Sequence, residues 1–341
     1  TGLGRLRTGY ELRAERTGLT VESAGREGVL VAEEAPALAR GIDVDAQQLR
    51  ASGGVYADLS LRSGDLVVIP GVRLPFDTLT PTQLPDPRLT LRWQLSDSIQ
   101  LRAAAGRYQQ AAETQHLLAN TGDPTLPVTS AWQAAVGLDT AIADRWEIVF
   151  DAYGKLLDDP LRYPVGDVAY AAPRGRAAGV ELVTRYRLRE RFFFRGWLAL
   201  ARTQVYDGGS WHPAEGDQPL TIGLVASWDL ATDYNLGLRY RYGSGQPYTP
   251  VIGGLYRADT DTYDPIAGSL NSARLPAYQK VDLRFARTFR FDRWRLDLAA
   301  ELWWVPRRNA QLYPIYSYDY RDQGYVVGPT FLPILSARAS F

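Results

Sequence analysis

The sequence predicts an all-β protein: an antiparallel transmembrane β-barrel of about 14 strands, with short periplasmic turns and long extracellular loops. Three observations predict it. Apolar and polar residues alternate with a period of two along most of the chain. Aromatic residues collect at the ends of the apolar stripes, and short polar turns alternate in order with long irregular segments.

The pattern centres strands on residues 5–14, 53–62, 65–76, 88–95, 98–108, 131–141, 144–156, 177–189, 191–205, 218–230, 233–243, 277–290, 293–305 and 332–341. The clearest runs from Trp294 to Trp304. Trp294, Leu296, Leu298, Ala300, Leu302 and Trp304 alternate with Arg295, Asp297, Ala299, Glu301 and Trp303. Successive side chains point to opposite faces of a strand, so one face is apolar and the other charged. On a helix the same residues would mix both kinds on every side. Leu89, Leu91, Trp93 and Leu95 repeat the pattern against Arg88, Thr90, Arg92 and Gln94. So do Val180, Leu182, Thr184 and Tyr186 against Glu181, Arg185 and Arg187, and Leu236, Leu238 and Tyr240 against Gly237, Arg239 and Arg241.

Turns fall at Ser63-Gly64, Ser96 to Ser98, Ala143-Asp144, Arg189-Glu190, Ala231 to Asp233 and Asp292-Arg293. Loops are expected over 16–50, 77–86, 110–130, 158–175, 207–217, 244–275 and 307–331. A soluble β-sandwich also alternates. Its strands are shorter, and it has no reason to place Trp146, Trp228, Trp294, Trp304, Tyr234 and Tyr242 at the ends of apolar stripes, as interfacial girdles do. In lipid every backbone N–H and C=O needs a partner, which favours a closed sheet. Arg287 breaks the rule: it falls on the apolar face with Leu283, Phe285 and Phe289, which marks either an interface position or a bulge.

Composition agrees. The 341 residues carry 38 basic and 38 acidic side chains, so the chain shows no sign of nucleic-acid binding. There is no Cys, which excludes disulfides, thiolate metal sites and cysteine nucleophiles. Nine Trp, 20 Tyr and 10 Phe exclude a disordered chain. No apolar run is long enough for a transmembrane helix and no signal peptide is evident. The whole of 1–341 reads as one barrel domain without a plug domain.

Several segments follow one another in a telling order. They are PGVRLPFD (Pro70–Asp77), PRLTLRWQLSDSIQLRAAAGRYQQ (Pro87–Gln110) and GRAAGVELVTRYRL (Gly175–Leu188). YGSGQPYTPV (Tyr242–Val251), NSARLPAYQKVDLRFARTF (Asn271–Phe289), RWRLDLAAELWWVPRRN (Arg293–Asn309) and a last strand ending at Phe341 follow, and in this order the segments resemble the carboxyl-terminal barrel portion of a TonB-dependent receptor. The resemblance implies residence in the outer membrane of a Gram-negative bacterium, insertion by the barrel assembly machinery and contact with outer-membrane lipid. It implies uptake of a scarce ligand (siderophore, sugar or other nutrient), with TonB and a plug outside this chain as partners. Such receptors have roughly 22 strands, about eight more than are counted here. The alternatives are a passive diffusion pore made by a reduced or engineered plug-less barrel, and a structural scaffold.

Candidate site residues follow from the faces. The charged face presents Arg92, Arg102, Asp151, Glu181, Arg185, Arg239, Arg241, Asp282, Arg284, Asp297 and Glu301 to the lumen. They serve as a cross-strand-paired wall, or as a plug-docking or ion-selective lining. Tyr316, Tyr318, Tyr320 and Tyr325 either pack their loop or stack on a ligand ring. Asp259, Asp261 and Asp264 have the spacing of a calcium loop but lack its glycine and distal glutamate, so no metal or cofactor is expected. The two histidines, His116 and His212, lie in different loops without the setting of a nucleophilic triad, and no enzyme is expected.

Overall fold

The computed structural model describes residues 4–23, 42–80, 83–118, 123–143, 145–162, 169–188, 191–306 and 311–341. Fourteen strands form one antiparallel wall in chain order. They are β1 (Arg5–Ser23), β2 (Ile42–Ser63), β3 (Leu66–Asp77), β4 (Asp86–Ser96), β5 (Ile99–Gln110), β6 (Thr129–Ile142) and β7 (Trp146–Asp158). They continue as β8 (Arg174–Leu188), β9 (Phe192–Asp207), β10 (Leu220–Ala231), β11 (Tyr234–Gly243), β12 (Tyr278–Arg290), β13 (Arg295–Trp304) and β14 (Phe331–Ser340). Each corresponds to one strand read from the alternation. Pairing runs from neighbour to neighbour, and the two outer edges, β1 and β14, face no strand among the described residues.

The register keeps the two faces separate. Leu182 aligns with Phe150 and Leu138 on one side and with Leu198 and Ile222 on the other. Large apolar residues on this face are exposed, among them Val136, Leu156, Leu182, Leu200, Trp228 and Leu298. An apolar face of that extent is unlike a soluble monomer's surface and suits lipid. Near the turns the face ends in rings: Trp146 packs on Tyr186 (centroids 4.4 Å apart), and Trp294 lies against Phe291 (4.2 Å) and Phe341 (6.2 Å). Arg287 belongs to this belt. It pairs with Tyr234 at the turn end of β11, and its guanidinium lies 5.0 Å from the Tyr234 ring centroid and 4.4 Å from that of Phe289. It therefore occupies an interface position, where a charge costs little, and the β11–β12 ladder has no bulge there.

The polar face is filled where two strands approach closely. The Trp197 ring of β9 lies over Gly223 of β10, and a Cβ on residue 223 would stand 1.8 Å from that ring. Gly223→Val is expected to displace Trp197 and cost about 1–3 kcal/mol by overpacking. Denaturant titration of the refolded chain checks it.

The loops depart from the sequence expectation in two ways. First, the 16–50 segment is not a loop throughout. β1 and β2 extend past their neighbours and pair from Arg5↔Ser60 to Ser23↔Ile42, whereas β3 joins β2 only from Ser52 onward. Along this projecting part the strict alternation by which strands were recognised lapses, as at Gln48-Leu49 on β2. Second, other loops carry ladders of their own: 161–162 with 170–171, 247–248 with 273–274, 251–257 with 262–267, and 311–316 with 323–327. Segments this long must pair their own backbone groups.

Candidate functional site

The charged face is a paired wall. One register row runs Arg92, Arg102, Gly137, Asp151, Glu181 across β4 to β8. Arg102 sits 2.7 Å from Asp139 and 3.1 Å from Asp151. Further pairs join Arg88 to Asp58 (2.8 Å), Arg73 to Glu11 (3.4 Å) and Arg185 to Glu147 (3.2 Å). At the far end Lys280 meets Asp282 (3.2 Å), Arg284 meets Glu301 (3.4 Å) and Arg295 meets Asp297 (3.1 Å). The register puts Arg239 opposite Asp282 and Arg241 opposite Lys280. Opposite charges on neighbouring strands stabilise the ladder modestly and leave the face highly polar. Lys280 also lies 3.7 Å from the Trp303 ring centroid, which explains a tryptophan on the charged side of β13.

On the loop side the connections lock to one another. Ala112, Leu117, Leu126 and Ala169 form a buried cluster with Leu79 and Leu161, joining the three loops that follow β3, β5 and β7. Arg162, 3% exposed, then links the β7–β8 loop to the β9–β10 region: it reaches Asp207 (3.1 Å) and Glu215 (Nε to Oε1, 3.1 Å). Its Nη1 also donates to the Tyr170 hydroxyl (2.7 Å), which donates to Asp207 (2.6 Å). Asp217, which accepts the Thr203 N–H at 2.7 Å, pairs with Arg274 of the β11–β12 loop. That loop meets the β13–β14 loop through tyrosines. The Val251 N–H donates to the Tyr316 hydroxyl (3.1 Å), Tyr318 donates to the Asp261 carbonyl, and the Tyr248 and Tyr325 hydroxyls lie 3.5 Å apart.

These contacts place the sequence candidates. Tyr316, Tyr318 and Tyr325 hold two loops together, and Tyr320 packs on Tyr316 (6.1 Å). Bonding to Tyr248 pushes the Tyr325 hydroxyl up to about 12. The three aspartates do not converge. Asp259 and Asp264 flank Arg257 (3.5 and 3.1 Å), Asp261 accepts from Tyr256 (2.8 Å), and among the described residues no three His, Asp or Glu gather as metal ligands. The calcium spacing is thus spent on an arginine. His212 Nε2 lies 2.7 Å from Ser210 Oγ on an exposed strand, a pair not noticed in the sequence. His116 is in a short 3₁₀ turn in another loop.

A polar basin opens where the charged face meets the loops. It encloses about 450 Å³ and is lined by Glu11, Arg13, Glu15, Arg50, Arg73 and Asp77, among others. Its fixed point is Arg50, whose guanidinium grips Asp77 (2.8 and 2.7 Å), the Ala112 carbonyl (2.8 Å) and the Thr114 hydroxyl (3.3 Å). Sequence reasoning missed Arg50 and Asp77 because both fell inside expected loops. The same holds for Arg162. Alternation breaks at Gln48-Leu49, just before Arg50, so no local pattern marked it as a wall residue.

The Tyr170 hydroxyl is pushed up to about 12 by burial and by its bond to Asp207. A raised folded value means that its contribution is full below the ordinary phenol range near 10. It is lost as pH rises from about 10 to about 12. Protection of the β7–β8 loop, measured by limited proteolysis, is expected to hold to pH 10 and fall above it, and Tyr170→Phe is expected to remove that dependence in this loop.

Comparison with known proteins agrees with this architecture. The family model described as "TonB dependent receptor-like, beta-barrel" matches residues 9–301. No curated protein matches by sequence. Among solved structures, the ferric citrate transporter FecA in its unliganded form superimposes with a TM-score of 0.68 at 17% identity, covering 99% of this chain and 51% of that one. The ferric-catecholate import receptor Fiu from K12 E. coli gives 0.66 at 14% identity, covering 98% and 51%. The ferric enterobactin receptor PfeA from Pseudomonas aeruginosa gives 0.62 at 14%, covering 99% and 51%. The chain thus spans about half the length of these proteins, and members of the matched family are outer-membrane proteins of Gram-negative bacteria. With its paired polar face, exposed apolar face and interlocked loops, the chain belongs to the TonB-dependent receptor-like β-barrel family.

Proposed function

We propose that this chain is barrel wall of a receptor that takes up a scarce ligand across the outer membrane, by energy coupled through TonB and gated by a plug. The observation that carries the reading is the charged basin at the loop end of the polar face, set beneath loops that are locked together. On this reading the apolar face meets lipid and the barrel assembly machinery inserts the strands. Arg92, Arg102, Asp151, Glu181, Arg185, Arg239, Arg241, Asp282, Arg284, Asp297 and Glu301 line the lumen, and the loop crown captures the ligand. The free edges of β1 and β14 need backbone partners in lipid, and further strands of the same barrel would supply them. The ligand class follows the neighbours, whose names carry ferric citrate, ferric catecholate and ferric enterobactin.

The test is uptake of labelled ferric chelates by Gram-negative cells that express the protein, with and without a protonophore. Uptake that saturates and stops with the protonophore supports the reading. Uptake that persists and falls only with solute size favours a passive pore and contradicts it.

A further inference from the structure

The loop end of the apolar face carries a feature that transport does not use. One register row runs Ala105, Ala134, Gly154, Ala178 across β5 to β8 and ends at Arg202 on β9. No side chain before the arginine exceeds a methyl group. The next row toward the loops is Arg107, Trp132, Leu156, Arg176, Gln204. The next row toward the turns is Ala103, Val136, Ala152, Val180, Leu200. Large side chains on the loop side of this floor, Trp132, Leu156, Arg176 and Gln204, border an outward groove of about 690 Å³ that Arg202 also lines.

The rim of this groove is cationic. Arg176 donates to the side-chain Oε1 of Gln204 (2.9 and 2.8 Å) and lies over the Trp211 ring, 4.2 Å from its centroid, which holds it facing outward. Arg107 donates to the Pro85 carbonyl (3.5 Å), and Arg202 is exposed. Arg176 and Arg202 are diagonal neighbours on adjacent strands, which places their backbones about 7–8 Å apart. The acidic residue nearest in register is Asp158, opposite Arg174 one row further toward the loops. Arginines on a lipid-facing wall are costly at the bilayer midplane and nearly free at its surface. Here they stand level with Trp132 and Trp211, as interfacial residues do.

We propose that this groove binds a phosphate-bearing, acylated lipid of the leaflet on the loop side. An acyl chain lies across Ala105, Ala134, Gly154 and Ala178, and the phosphate sits between Arg176 and Arg202. The apolar floor suits a chain, and the planar guanidinium fork suits phosphate oxygens two at a time. The inference rests on the apolar face being in the bilayer.

The full chain is reconstituted into phosphatidylcholine nanodiscs containing lipid A, and protease protection reports insertion separately. Lipids retained after detergent extraction are counted by native mass spectrometry. Lipid A is expected to be retained over phosphatidylcholine and over dephosphorylated lipid A. Arg176→Gln with Arg202→Gln is expected to cut retention about tenfold, as loss of charge-assisted bonds to a phosphate predicts. Ala134→Phe, which fills the floor from the lipid side, is expected to do the same with insertion unchanged. Equal retention of all three lipids, an unaffected double variant, or a second copy of the chain occupying this face would overturn the proposal. A chain that fails to insert overturns the membrane reading beneath it, a result distinct from insertion without lipid selectivity.

Discussion

Leu182→Arg is expected to be the most damaging single change in the wall. Leu182 lies midway along β8, and its row neighbours Phe150, Leu138, Leu198 and Ile222 are all apolar. A guanidinium there meets hydrocarbon with no partner. Arginine at the midplane of an outer-membrane barrel costs about 2–4 kcal/mol, with each 1.4 kcal/mol a tenfold loss of folded protein. The adjacent Glu181 points to the other face, beside Asp151 and opposite Ala199. Glu181→Gln is expected to stay within about 0.5 kcal/mol, as polar surface changes do. Urea titration in lipid vesicles, read by tryptophan fluorescence, measures both. Equal costs would show that the two faces of β8 do not meet different solvents.

Arg162→Ala is expected to release the loop crown without unfolding the wall. Removing this buried guanidinium strips Asp207 and Glu215 of their cation and leaves the Tyr170 hydroxyl one bond short. Breaking a fully buried pair costs about 3–5 kcal/mol, but both acids are partly open to water, so about 2 kcal/mol is expected. The loss is local, because the strands beneath are held by their own ladders. Hydrogen exchange is expected to speed up in 159–173 and 208–219 while β8 and β9 stay protected. Arg162→Lys restores the charge but not the fork that serves two carboxylates and a hydroxyl, so it is expected to rescue little. Unchanged exchange in both loops would show that the crown is held by its apolar cluster instead.

The wall was legible because the membrane enforces a rule at every residue. A strand such as β13 must be apolar on one face and charged on the other, and Leu296 to Leu302 show it without any knowledge of neighbours. Where the rule lapses, the reading lapsed with it. The projecting ends of β1 and β2 and the four loop ladders lie outside the alternation, so they were read as irregular. The charged candidates share one strand face, as parity alone requires. Their partners were not legible. Arg50 meets Asp77, Arg162 meets Asp207 and Arg274 meets Asp217 across loops whose docking no local pattern encodes. The Asp259 to Asp264 spacing shows the converse: a suggestive local motif was already committed to Arg257.

The most direct test of the two-faced wall is a nitroxide scan along β13, made simple by the absence of cysteine in the chain. Single cysteines at 296 to 302 are spin-labelled in lipid vesicles, and collision rates with oxygen and with a water-soluble nickel chelate are compared. The account predicts strict alternation, with oxygen favoured at Leu296, Leu298, Ala300 and Leu302 and nickel favoured at Asp297, Ala299 and Glu301. Nickel access at all seven positions, or no period of two, would contradict it.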